Sequence, residues 1–249
     1  MKINIKNIML FSSFLLISII IYKQSFKKGK KNNGGKLNYL VHFDSKAINT
    51  SEKTDAIIAG LNLFDEINEA SKEILFHLDF TNKESSFYIE DAGINNKMRD
   101  LAIVLSGGKG VFYNKYNTRI RQVEAFNSKY LINYNLIKDS DWEFQEGEKI
   151  IQGYKCNKAV LKKINSNSEN LTAWYSKKLP YKFGPRGINN LPGLILELSI
   201  INRVEIIFTA SNISFNNTRN SVSKPLQGIK ITKHEFDIIK ENKLLELKK

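Results

Sequence analysis

Between residues 74 and 81, Ile74, Phe76, Leu78 and Phe80 interleave with Leu75, His77, Asp79 and Thr81. A strand with one buried face requires that period of two, because successive side chains leave opposite sides of the pleat. "TNKES" supplies a turn into "SFYIE", so residues 74–90 predict a hairpin, with His77 on its solvated side. Similar short runs rich in aromatic and β-branched residues, broken by polar turns, recur along the chain. They are "LNYLVHFDS", "TRIRQVEAF", "SKYLINYNLI", "DWEFQEGEKIIQGYKCNKAVLKKI", "NLTAWYSKKL" and "GLILELSIINRVEIIFTASNISF". "LAIVLSGGKGVFYNKYN" reads as strand, glycine turn and strand; its "GGKG" lacks the spacing, the Ser or Thr and the following helix of a phosphate-binding loop.

Two segments follow helical spacing instead. In residues 55–70, Ile57, Ile58, Leu61, Phe64 and Ile67 form one apolar stripe, fit to cover a face of the sheet. After Pro225 and Gly228 stop the strands, Thr232 precedes Glu235 by three residues, the spacing of a capping box. Phe236, Ile239, Leu244 and Leu247 then mark a terminal helix, with His234 exposed in its first turn. The expected fold is mainly β with flanking helices: a curved antiparallel sheet or half-barrel, without alternating βαβ units. Its order of segments is distantly like that of lipoprotein-carrier folds.

The amino terminus differs in kind. Lys2 and Lys6 precede an apolar core at residues 8–22, and Lys27, Lys28, Lys30 and Lys31 follow it. This is the order of an export signal. Fifteen helical residues span only ~22 Å, short of the ~30 Å hydrocarbon layer. The trailing lysines oppose translocation and keep an uncleaved tether open as the alternative. The expected organisation is a signal peptide or membrane anchor at 1–25, a basic flexible linker at 26–36 and a β-rich domain at 37–249. The implied location is the periplasm or cell envelope, with membrane association through residues 8–22.

Charge and reactive residues narrow the function classes. The chain of 249 residues carries a formal charge of +13, but seven lysines lie in the first thirty-one residues and the rest is mixed with acids. No basic recognition helix stands out, so nucleic acid is not an expected partner. The single cysteine, Cys156, excludes an intrachain disulfide and a site built from several thiolates. His42, His77 and His234 lie far apart in sequence, so neither a metal nor a cofactor is expected. Asp139, Asp141, Glu146 and Glu148 fall in a loop-like run that reads as solvated surface. Cys156 reads as a small core residue, with a reactive thiol as the alternative because Lys155 and Lys158 flank it. Trp174 and Tyr175 would point to opposite faces of a strand, one into the core and one to a rim.

"GPRGINNLPGLILEL", residues 184–198, punctuates the chain directly before an apolar run. Pro192 and Gly193 suit the two corners of a type II turn, and Leu191 and Leu194 would fold inward over it. With Pro180 and Pro185 upstream, residues 179–193 predict a structured crossing loop.

"LPGLILEL", preceded by "AWYSKKLPYKFGP" and "GYKCNKAVL", resembles the GLPGLI family, exported proteins of unknown function typical of Bacteroidetes. Asn190 stands where that family's motif begins with glycine, though asparagine tolerates left-handed backbone. The resemblance implies an exported location and a fold rather than a chemistry, and the leading reading beside it is a non-enzymatic protein of the periplasm or cell envelope. Its curved sheet would bind a lipid or other hydrophobic ligand, or an envelope protein, through Trp174, Tyr175, Leu191, Pro192, Gly193 and Leu194. Alternatives are an interaction protein docking through the Pro-Gly loop and a hydrolase using Cys156 or buried acids.

Overall fold

The computed structural model describes residues 33–44, 55–90, 93, 96–115, 117–162, 170–201, 204–216 and 222–246. The expected export segment and most of the expected linker lie outside them. Among the described residues, no helix is long and apolar enough to cross a membrane.

The described strands form one curved, open sheet, antiparallel but for one pairing. Numbered in chain order, they run from edge to edge as β12 (Ile229–Thr232), β6 (Ser128–Asn133), β5 (Thr118–Ala125), β4 (Val111–Lys115), β3 (Glu84–Ile89), β2 (Leu75–Thr81), β1 (Gly34–Asp44), β11 (Glu205–Asn216), β10 (Leu194–Ile201), β9 (Asn170–Ser176), β8 (Tyr154–Leu161) and β7 (Trp142–Ile151). β1 to β6 make one meander and β7 to β11 another. β11 closes onto β1 from Gly34↔Asn216 to Asp44↔Glu205, with a bulge between Asn38 and Tyr39. β12 runs parallel to β6.

One face of the sheet is apolar. Leu37, Tyr39, Val41 and Phe43 of β1 lie on it with Phe76, Leu78 and Phe80 of β2, all buried. The expected alternation over 74–81 is the observed one. Phe76 stacks on Phe87 at 5.4 Å and meets Phe208 edge-on at 5.3 Å, so aromatic packing ties β2, β3 and β11 together. The buried Tyr39 hydroxyl donates to the Ile195 carbonyl, linking β1 to β10 across β11.

Two helices and a loop cover this face. Helix α1 (Asp55–Ser71) is the expected one. Phe64 packs edge-on against Phe43 at 6.2 Å, and the Ser71 hydroxyl donates to Val41 O at 3.0 Å. Helix α2 (Lys97–Leu105) occupies residues read above as a strand. Asn96 caps it, its side chain accepting from Met98 N and Arg99 N at 2.9 and 3.1 Å. The "GGKG" turn therefore ends a helix rather than joining two strands. Gly108 N donates to Ile103 O (2.7 Å) and Gly107 N to Val104 O (3.1 Å), with Gly107 at φ 110, which is a Schellman ending. The terminal helix α3 (Lys233–Glu246) starts at the expected capping box: Thr232 N donates to Glu235 Oε2 at 2.6 Å, and Glu235 N to Thr232 Oγ1 at 3.2 Å.

Residues 179–193 form the structured crossing expected of them. Leu194 N donates to Leu179 O (2.8 Å), Ile195 N to Phe183 O (3.0 Å) and Asn190 N to Lys182 O (3.0 Å). Tyr181 packs on Phe80 at 4.6 Å, and Arg119 Nε donates to Gly187 O at 2.9 Å. The corner is not the type II turn expected. Gly193 has no positive φ; at this corner the left-handed residue is Asn190, at φ 68, as Arg186 and Gly187 are earlier in the crossing, and the Asn190 side-chain amide donates to Ile137 O. Gly193 is needed for space, since a Cβ there would lie 2.2 Å from Ser176 O.

Gly193→Ala is therefore expected to destabilise the fold by about 2–4 kcal/mol in chemical denaturation. Gly60→Ala, in the interior of α1 with no atom of the described residues within 4 Å of the added carbon, is expected to stabilise it by about 0.5–1 kcal/mol. At position 190, Asn190→Gly keeps the backbone and loses one hydrogen bond, about 1 kcal/mol. Asn190→Ala loses both, and denaturation midpoints should rank wild type above glycine above alanine.

Candidate functional site

The face opposite the helices carries the polar chemistry. Backbone register places Gln145, Lys158, Trp174, Glu197, Thr209, Leu40 and Leu75 in one row across seven strands, from β7 to β2. Cross-strand neighbours in such a row have their side chains on one side of the sheet. Tyr175, one residue after Trp174, faces the other way into the core, as the opposite-face expectation requires.

At the centre of the row, the Trp174 indole is partly exposed. The Lys149 ammonium lies 4.8 Å from its ring centroid and is ion-paired with Glu197 Oε1. Thr209 Oγ1 donates to Glu197 Oε2 at 3.3 Å, so both carboxylate oxygens are engaged. Gly147, at φ 135 beside the bulge of β7, lets that strand approach the indole: a Cβ there would sit 3.2 Å from the ring edge. An indole, an ammonium, a carboxylate and a hydroxyl are thus fixed on rigid strands within one patch. Further along the same face, His77 Nδ1 lies 3.0 Å from Asn38 Oδ1 and its ring stacks on Tyr88 at 5.4 Å. The Tyr88 hydroxyl donates to Asp79 Oδ2 at 3.2 Å; burial first, and then the Asp79 carboxylate, push its pKa up to about 12.

Cys156 sits opposite Lys149 in the β7–β8 register, so it shares the face of Trp174. It is fully buried. Burial pushes its thiol up to about 11, against a smaller lowering by a backbone hydrogen bond and by the Lys149 charge. A thiol so held is protonated at neutral pH, the opposite of an activated nucleophile. Of the loop candidates, Leu191 and Leu194 are fully buried and Gly193 is buried against Ser176, while Pro192 is exposed. The structure therefore gathers Trp174 and Cys156 on one patch and sends Tyr175, Leu191 and Leu194 into packing. Lys149, Glu197 and Thr209 escaped sequence reasoning because they come from three strands and meet only through cross-strand register, with Lys149 48 residues from Glu197. Their only local signal was a charged residue inside the apolar run "LILELSII". The acids Asp139 and Asp141 belong to a short 3-10 turn, where Asp139 pairs with Lys182 at 3.3 Å. Among the described residues, no cluster of three or more His, Cys, Asp or Glu side chains could hold a metal.

A family model described as "N-glycanase peptide, N-terminal domain" matches residues 107–243. Two solved structures of PNGF-II, in different space groups, share the fold at 14% and 13% identity with TM-scores of 0.50 and 0.51. Each alignment covers 83% of this chain, and 33% and 32% of the PNGF-II chain. The chain thus spans about a third of the length of these PNGF-II structures. No curated protein matches it.

These findings overturn the resemblance to the GLPGLI family. The matched span contains "LPGLILEL" itself, and the glycine of the Pro-Gly step there is explained by close packing on Ser176. The function read from it, a protein of unknown function binding a hydrophobic ligand or envelope partner, falls with it, as does the Bacteroidetes assignment that rested on the motif; the export signal was read from residues 1–31 and does not depend on that kinship. With more than half of its length matched by that model, the chain belongs to the family of N-glycanase peptide N-terminal domains.

Proposed function

We propose that this domain recognises N-linked glycan on behalf of glycan removal, and that the patch around Trp174 holds the sugar. The family name supports the substrate class, and the chemistry of the outer-face row supports the place. The partly exposed indole flanked by Lys149, Glu197 and Thr209 carries the reading. A pyranose presents an apolar C–H face, which packs on an aromatic ring, and a rim of hydroxyls, which need donors and acceptors in fixed positions. The patch offers both. A sugar laid on the indole would take the ammonium's place over the ring and accept a hydrogen bond from it at the rim.

The role is recognition rather than bond cleavage. Glu197 is tied to an ammonium and a hydroxyl, which suits a fixed acceptor rather than a proton donor. Cys156 is buried and protonated. The apolar segment at 8–22 fits an exported protein, where glycosylated substrates are met.

The experiment is titration of the protein with N,N′-diacetylchitobiose, the disaccharide at the base of N-linked glycans, by calorimetry. Trp174→Ala should weaken binding by about tenfold or more with circular dichroism unchanged, and Glu197→Gln by about three- to tenfold, the range of one or two lost contacts. Cys156→Ala should bind as wild type. Undiminished binding by Trp174→Ala would remove the patch from the account.

A further inference from the structure

A second feature lies where α2 ends. Gly107 and Gly108 follow its last turn as bare backbone between two guanidinium groups. A Cβ on Gly107 would lie 3.0 Å from Arg186 Nε, and one on Gly108 would lie 3.4 Å from Arg121 Nη2. Arg121 is held in place, its Nη2 donating to Gly107 O and its guanidinium 4.9 Å from the Phe112 ring centroid. Its Nε is buried, and no group of the described residues accepts from it.

These groups line a groove of about 590 Å³ between the end of α2, β5 and α3. Among the described residues that line it are Arg121, Arg186, Lys233 and Lys240, and Asp237, which Lys233 binds at 2.5 Å. The walls are apolar and partly open: Val104 is 66% exposed and Phe126 40%. Phe126 stands at φ 52, a left-handed conformation that a bulky residue rarely adopts, with its ring 6.4 Å from Phe236. Guanidinium groups match planar oxyanions better than any other side chain, and an apolar wall suits the C–H face of a sugar. The volume is that of a small-molecule site.

We infer that this groove is a subsite for an anionic monosaccharide, whose carboxylate or phosphate binds at Arg121 and Arg186 beside Gly107 and Gly108 while its ring lies against Val104 and Phe126. The choice of a sugar rests on the glycan-directed reading above. The site is separate from Trp174, which lies on the opposite face of the sheet.

The test titrates the full chain with N-acetylneuraminic acid, mannose 6-phosphate and neutral mannose. At least one acid should bind about tenfold or more tightly than mannose and lose affinity as salt is raised to about 0.5 M. The two acids separate a carboxylate-bearing from a phosphate-bearing residue as the source. Val104→Glu and Lys240→Glu change exposed positions, so each should fold normally, weaken acid binding by about three- to tenfold and leave chitobiose binding intact. Trp174→Ala should do the reverse. Failure of both acids to bind, equal binding of mannose, unchanged affinity in the two charge variants, or tighter binding of an acidic peptide than of either acid would each overturn the subsite. If chitobiose binding failed while the acids bound as described, the Trp174 patch would fall and the groove would stand.

Discussion

The ladder between β1 and β11 is the constraint on which the molecule depends. It pairs residues 34–44 with residues 205–216 and so brings together segments some 170 positions apart in sequence. Every other pairing except β12 with β6 joins strands that follow one another along the chain. Without the joint there would be two meanders, each ending in a long unpaired edge, and neither would bury its apolar face completely. With it, Phe76 and Phe87 of one meander meet Phe208 of the other, and Tyr39 reaches across to Ile195. Closure of so long a loop costs conformational entropy, and the aromatic cluster at the joint offsets that cost.

The same joint makes the outer face continuous. Thr209 stands beside Glu197 in one direction and Leu40 in the other, so the row centred on Trp174 passes from the second meander into the first without a break. Two faces of one sheet thus do different work. The inner one packs α1, α2 and the crossing loop; the outer one presents an indole and its polar neighbours on strands whose positions the inner packing fixes. The crossing loop contributes indirectly. By packing Gly193 against Ser176 and pairing with the start of β10, it sets the end of the strand that carries Glu197.

Much of this was legible in the sequence, and the failures have identifiable causes. The period-two alternation over 74–81, the helix at 55–71 and the Thr232 capping box are local signals strong enough to stand without tertiary help. The helix at 97–105 was missed because "LAIVL" is a short apolar run, which spacing alone assigns to neither class. Asn96 as cap, with Asp100 in the first turn, was the signal that decides it. Parallel pairing of β12 with β6 depends on a return of the chain from nearly a hundred residues away and leaves no local mark. β1 begins at Gly34, inside the span read as linker, because its glycines are demanded by close neighbours: a Cβ on Gly34 would lie 2.1 Å from Phe80 O. The Pro-Gly step misled twice, once about turn type and once about kinship, since proline and glycine before a strand record a packing need rather than an ancestry. The candidate patch was half visible: Trp174 stood out by type, but its partners are cross-strand neighbours, and register is not written in any one strand.

The proposed place of the glycan is the outer face around Trp174. A crystal structure of the protein soaked with N,N′-diacetylchitobiose tests it most directly. The expected result is a sugar ring stacked on the Trp174 indole, with Lys149 and Glu197 at its hydroxyls. Density for the disaccharide elsewhere, with that patch unchanged, would contradict it.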